Sequence, residues 1–225
     1  MNHIRSYLLF ESISRKSLDT YLGSKGYTIQ NDIVSCYGDM YVDSSKDYKF
    51  PCIFGNIGGN FSAFDIELND ITGFPKYVNG NVDLKRNQIK NIDVLKDTKI
   101  LGGLSLEDNL ITYIDFPIAC DKIYVTGNPL TYITSLNCGK IEFFDTPLYS
   151  LYIIVEERFM DIDDETDIND REFLDRVDEF EVIKDYNRVD LLNLQKMFDF
   201  YGIHFKRNTI IKQIEEISYY HIINI

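Results

Sequence analysis

Tryptophan is absent and histidine occurs only three times, so the chain has little of the imidazole on which general acid–base catalysis and transition-metal sites most often draw. His3 lies at the start and His204 and His221 near the end, and none sits in a motif with a nucleophile, a second ligand or an orienting carboxylate. Four cysteines, Cys36, Cys52, Cys120 and Cys138, form no CxxC pair and have no nearby histidine, which favours reduced, packed thiols over disulfides or zinc. No glycine-rich phosphate loop follows a strand, so no cofactor is implied and an enzyme is not expected. Paired acids such as Asp163 and Asp164 lie in a solvated run rather than a cleft that would separate their pKa values. No apolar run is long enough to cross a bilayer, and the opening MNHIRSYLLFESISRK is too polar for a secretory leader, so a cytoplasmic setting is expected. Basic charge is also scarce: 23 Lys and Arg face 36 Asp and Glu, a formal net charge of -13. Residues 156–225 hold 18 of the acids and 9 of the bases, a surface that repels phosphate backbones and disfavours nucleic-acid or membrane partners.

What the chain has in abundance is repetition. The pattern apolar-x-apolar-x-x-Asn-x-apolar-x-x-apolar occurs at Phe64, Ile66, Asn69, Ile71, Phe74; at Val82, Leu84, Asn87, Ile89, Ile92; and at Leu104, Leu106, Asn109, Ile111, Ile114. It continues at Ile123, Val125, Asn128, Leu130, Ile133 and, with Thr146 in place of Asn, at Ile141, Phe143, Leu148, Leu151. The steps of 18, 22, 19 and 18 residues are those of a short leucine-rich repeat. Alternation puts two side chains of a short strand into a common core, and the Asn falls where the chain turns off the strand. There its amide can satisfy backbone groups of neighbouring coils, so successive Asn residues are expected to form a ladder.

Three parts are expected: an N-terminal cap over residues 1–38, a solenoid over 39–151 and an acidic helical C-terminal cap over 152–225. The first should contain a helix around Ile4–Phe10, a second helix in SRKSLDTYLGSKG capped by Ser14 or Ser17, and a strand at YTI. Met40, Val42, Ser45 and Phe50 form a worn first coil. In the last part FLDRVDEFEVI, VDLLNLQKMFDFYGI and NTIIKQIEEISYYHIINI have helical apolar spacing. The fold class is α+β, a β-rich leucine-rich-repeat solenoid with helical caps.

The segments FESI, YTI, FPKYVNGNVDLKRNQIKNID and LDRVDEFEVIKDYNRVDLLNLQKMFDFYGI, taken in order, resemble leucine-rich-repeat proteins of large tailed bacteriophages. Those proteins share an N-terminal helix, repeats joined by Pro-x-x-Val-x-Gly segments and a short helical tail with a Leu-Asp-Arg-like motif. The resemblance covers nearly the whole chain. Variable steps, Thr146 and the absence of the family's frequent strand cysteine depart from it and bear on how regularly the coils stack near Thr146. The resemblance implies origin and fold; the family has no general activity to carry over.

On such a scaffold the outward strand positions line one concave face. The central row reads Asp65, Asp83, Ser105, Tyr124, Glu142 and the next Glu67, Lys85, Glu107, Thr126, Phe144, so Asp65, Asp83, Glu107, Tyr124, Glu142 and Phe144 are the candidate partner-binding residues. The expected function is non-enzymatic binding by a monomer of a host protein, such as a defence or metabolic factor, through this face or the acidic tail. A virion-associated structural role and acidic mimicry of nucleic acid are the alternatives. From Asp161 the stretch DIDDETDINDRE offers Asp161, Asp163, Glu165 and Glu172 at positions one, three, five and twelve of a calcium-type loop, but Thr166 stands where the sharp turn needs Gly. No metal site is therefore expected, and calorimetric titration with calcium to millimolar concentration should give no binding heat.

Overall fold

A computed structural model describes residues 14–24, 26–134, 138–160, 169–203 and 206–224. The helix expected at Ile4–Phe10 lies outside them. The chain divides into two compact units, one of Met1–Asn109, Ile118–Tyr124 and Cys138–Lys140, the other of Leu110–Pro117, Val125–Asn137 and Ile141–Ile225. The architecture is a β-solenoid of about five turns with a few helices.

In the first unit, α1 (Arg15–Leu18) is a single turn whose N-cap is Ser14, its side chain accepting from the Ser17 N–H. The hairpin of β1 (Tyr27–Gln30) and β2 (Ile33–Cys36) follows, closed by Asn31 and Asp32, both at positive φ, the geometry of a tight two-residue turn. From there each coil contributes one short strand to each of two sheets. The first sheet runs β1, β2, β4 (Ile53–Ile57), β6 (Tyr77–Val78), β8 (Lys99–Ile100). The second contains β3 (Met40–Tyr41), β5 (Phe61–Ser62), β7 (Val82–Asp83), β9 (Gly103–Ser105) and β11 (Lys122–Tyr124), all parallel.

The registers in the second sheet correct one part of the sequence reading. Met40 pairs with Phe61, Phe61 with Val82, Val82 with Leu104 and Leu104 with Ile123. The coil before Val82 is therefore Phe61, Ala63, Ile66, Leu68, Ile71, every one buried, while Phe64 and Asn69 are exposed. Two substitutions hide this register: Ala63 is a weak apolar signal, and Ile66 occupies the Asn position. Phe61 compensates in volume, making edge-to-face contacts with Phe54 and Phe74 at centroid distances of 5.0 and 5.3 Å, while Phe50 meets Phe54 at 5.4 Å.

The asparagine ladder is present from Asn87 onward. Asn87 Oδ1 accepts from the N–H groups of Ile66 and Leu68 at 3.2 and 2.9 Å, and its Nδ2 donates to Ala63 O at 2.8 Å, so it serves the coil whose own position holds Ile66. Asn109 repeats the arrangement, accepting from Ile89 N–H at 3.0 Å and donating to Leu84 O at 2.9 Å. One residue before each ladder position the backbone enters the left-handed region, at Asp65, Arg86, Asp108, Gly127 and Asp145, with φ between 53° and 72°. Asp tolerates this conformation better than branched residues do, which accounts for the acid at three of the five sites.

A second ladder, unanticipated from the sequence, runs along the corner between the two sheets. Asp39 Oδ1 accepts from Asn60 N–H at 2.7 Å, Asn60 Oδ1 from Asn81 N–H at 2.8 Å, and Asn81 Oδ1 from Gly103 N–H at 2.8 Å. Beside it Gly80 N–H donates to Gly59 O and Gly102 N–H to Gly80 O, at 2.9 and 3.1 Å. A Cβ on Gly80 would stand 2.4 Å from Asn60 Oδ1, and one on Gly102 2.7 Å from Gly80 O, so these corners admit no side chain.

In the second unit, β10 (Tyr113–Ile114) pairs in parallel with β12 (Tyr132–Ile133), and Asn128 Oδ1 accepts from Ile111 N–H at 3.0 Å. At Thr146 the ladder ends for a visible reason. Its hydroxyl donates to Phe143 O at 2.7 Å and accepts from Tyr149 N–H at 3.0 Å, capping α2 (Pro147–Met160), with Pro147 as the first helical residue. Leu148 and Leu151, expected in a fifth coil, are instead buried on the first turns of this helix.

The tail is less helical than its apolar spacing implies. Helices α3 (Asp170–Glu179), α4 (Leu191–Phe200) and α5 (Arg207–Glu216) match the expected segments. Between and after them, β14 (Ile183–Lys184), β15 (Arg188–Asp190) and β16 (His221–Ile223) form a small sheet, antiparallel then parallel. Strands of two or three residues are too short to show a period of two. Asp190 ends β15 and caps α4 by accepting from Leu192 and Asn193 N–H, both at 3.1 Å. Tyr220 is buried and donates to Thr131 O at 2.6 Å; Tyr132 and Thr134 both donate to Asp178, at 2.7 and 3.2 Å.

Replacing Asn109 by Ala leaves Ile89 N–H and Leu84 O buried without those partners and should destabilise the protein by about 3 kcal/mol. Asn69→Ala, at an exposed position, should stay within about 0.5 kcal/mol, and urea unfolding of the two variants compares them directly.

Candidate functional site

In the first unit the outward side chains of the second sheet form a registered row. Tyr41 stands opposite Ser62, Ser62 opposite Asp83, Asp83 opposite Ser105, and Ser105 opposite Tyr124, at the spacing of about 4.8 Å set by neighbouring strands. Two residues further along each strand a second row carries Phe64, Lys85 and Glu107. Parallel pairing puts them side by side because alternation repeats identically in every coil.

Of the expected residues, Asp83, Glu107 and Tyr124 occupy these rows, all half-buried. Asp65 does not: with the first coil shifted by three, it sits in the turn at φ 54°, and Glu67, at φ 59°, also lies beyond the strand. The position given to Asp65 belongs to Ser62, and that given to Glu67 belongs to Phe64, 41% exposed. Tyr41, 45% exposed, is likewise a member that the sequence reading passed over. Both were legible in principle, Tyr41 from its place between Met40 and Val42, Phe64 only once Phe61 had been placed in the core.

The face is of mixed charge rather than plainly acidic. Glu107 accepts from the Ser105 hydroxyl at 2.6 Å and lies 3.7 Å from Lys85 Nζ. Arg86 reaches Asp65 at 3.8 Å and lies over the Phe64 ring at 5.6 Å from its centre. Exposed pairs of this kind contribute little stability, about 1 kcal/mol at most, and serve mainly to hold the side chains in place. Tyr41 donates to Asp39 at 3.1 Å, and that hydrogen bond raises its phenol above the ordinary range. The arrangement presents rings, hydroxyls and charges of both signs.

In the second unit, Glu142 is half-buried on β13 (Lys140–Glu142), with its carbonyl accepting from Val125 N–H at 2.8 Å. Phe144 is 43% exposed and packs edge-on against Tyr149 of α2 at 5.0 Å. Asp161, Asp163 and Glu165 of the calcium-type stretch lie outside the described residues. Asn169 and Glu172 have other partners: Asn169 caps α3 by accepting from Glu172 N–H at 3.0 Å, and the Glu172 carboxylate accepts from Tyr201 at 3.1 Å. Among the described residues no group of three His, Cys, Asp or Glu is placed to hold a metal ion, and no helix is long and apolar enough to cross a membrane.

All four cysteines are buried and none is joined in a disulfide. Burial pushes the Cys52 and Cys120 thiols up to about 12. Tyr27 is raised to about 12 by burial and by its bond to Asp19, and Tyr132 to about 12 by burial and by its bond to Asp178. No family model, curated protein or solved structure matches the chain.

These raised values give stability a definite dependence on alkaline pH. The fold favours the neutral forms, so their contribution is complete below the ordinary values of 9.0 for the thiols and 10.0 for the phenols and disappears as pH rises toward 12. The urea midpoint should fall between pH 9 and 12, and absorbance at 295 nm should show exposed tyrosines ionising before the protein unfolds.

Proposed function

We propose that the chain is a leucine-rich-repeat protein of the kind carried by large tailed bacteriophages, acting without catalysis in the cytoplasm of the host by binding a host protein. Three features support the repeat identity: steps of 18 to 22 residues, strands of two or three residues, and asparagines whose amides bond the neighbouring coil. The segments on either side of the repeats act as caps in this reading. Leu22 bridges Val42 at the edge of the second sheet, and Thr146 converts the last repeat into a helix.

The observation that carries the binding role is the registered row on the second sheet, where Tyr41 and Phe64 expose ring surface on the coils that precede Asp83, Lys85 and Glu107. Rings flanked by charges on a rigid surface are the composition of interaction hot spots. A sheet held by two polar ladders loses little conformational entropy on binding, so more of the contact free energy appears as affinity. Charges of both signs call for a partner surface equally mixed, with electrostatics setting orientation and approach rate.

Affinity capture from host lysate should retain a specific protein on the wild-type chain and at least tenfold less on a folded Tyr41→Ala, Phe64→Ala, Tyr124→Ala variant, as quantified by mass spectrometry. Equal capture by both would overturn the face. Co-purification with virus particles, or elution as an oligomer, would overturn the host-directed role in favour of a structural one.

A further inference from the structure

The outer surface of the first sheet holds a groove of about 610 Å³ over β1, β2, β4 and β6. Its size falls in the range of small-molecule sites, about 300 to 1,000 Å³. Gly58, just past the end of β4, lines it, and a Cβ there would come within 2.1 Å of Tyr37 O. The walls carry the hydroxyls of Thr28 and Ser35 and the amides of Gln30 and Asn56. Tyr37, 92% exposed, and Tyr77, half-exposed, line it as well.

The chemistry of this lining is selective. In a chain of which 26% is charged, none of the described residues lining the groove carries a charge. An anionic ligand finds no cation there, and a cationic one finds no carboxylate. A wholly apolar ligand would strand the amides, each of which leaves water only at a cost unless hydrogen-bonded. Amides and hydroxyls offer donors and acceptors together, the complement of a neutral molecule that bears many hydroxyls. Tyrosine rings provide flat apolar surface with a polar edge, suited to a ligand that has a C–H face and an O–H rim.

We propose that this groove is a binding site for a neutral oligosaccharide. Recognition rests on Asn56, Gln30 and Ser35 for the hydroxyls and on Tyr37 and Tyr77 for the sugar faces, with Ile33 as apolar floor. The site binds and does not hydrolyse, because glycoside cleavage needs a pair of carboxyl groups and the lining supplies none. It lies on a different sheet from the registered row of Tyr41, Asp83 and Tyr124, and the two share no residue.

The test is binding of the labelled protein to a printed array of neutral and sialylated or sulfated oligosaccharides, in 0.15 M and 1 M salt. Neutral glycans should bind at both salt concentrations, with at least tenfold loss in Tyr37→Ala and in Asn56→Ala. Both residues are exposed, so the fold should survive, and unchanged circular dichroism checks this. Tyr37→Phe, which keeps the ring, should retain most of the binding, and Tyr124→Ala on the other sheet all of it. Binding to no glycan, preference for anionic glycans, or neutral binding indifferent to Tyr37→Ala and Asn56→Ala would each overturn the proposal. Displacement by a short neutral peptide at equal concentration would overturn it in favour of a peptide groove.

Discussion

Everything in this molecule depends on how backbone groups find partners where the chain leaves one strand and turns toward the next. A solenoid coil is too small to bury its polar backbone by itself, and each turn exposes N–H and C=O groups to the apolar interior. The buried amides of Asn87, Asn109 and Asn128 meet them, each accepting from a backbone N–H of the preceding coil. A carboxamide suits the position because it carries two donors and an acceptor on a side chain long enough to reach the preceding coil, whereas a carboxylate only accepts. The corner ladder of Asp39, Asn60 and Asn81 does the equivalent work at the opposite end of β5, β7 and β9. Strands of two or three residues persist because both of their ends are held.

What was legible in the sequence follows from this. Where the ladder residue is Asn, at 87, 109 and 128, spacing alone located the strands, the buried positions and the outward rows. Where another residue takes its place, the reading failed in one of two ways. At Ile66 no amide occupies the ladder position, so the coil exists but its signature does not, and a competing match at Phe64 and Asn69 displaces the register by three. At Thr146 the signature is nearly intact but the structure has changed: its hydroxyl bonds within its own segment and caps a helix. Of the two local caps that the sequence offers, Ser14 and Ser17, the chain uses Ser14.

The small sheet of β14, β15 and β16 was hidden for a different reason. Its strands are shorter than any period that would announce them, and β15 gains its parallel partner from residues more than thirty positions later. Helix α4 packs on β15 and α5 on β16, so the pairing depends on tertiary packing rather than on local preference. The groove on the first sheet was equally silent, since a cavity is defined by what neighbouring strands lack, and only the pairing of β2 with β4 brings Ser35 and Asn56 into one lining.

The glycine corners have a consequence for how such a gene can change. Coils here differ in length, 21 residues from Phe61 to Val82 but 18 from Ile123 to Ile141, while Gly59, Gly80 and Gly102 keep their contacts with the corner before them. Small insertions and deletions are thus confined to the arcs that link successive corners. A corner tolerates no such change without losing the glycine or the Asn that bonds it, and the shortest insertion or loss that keeps both contacts is one complete turn.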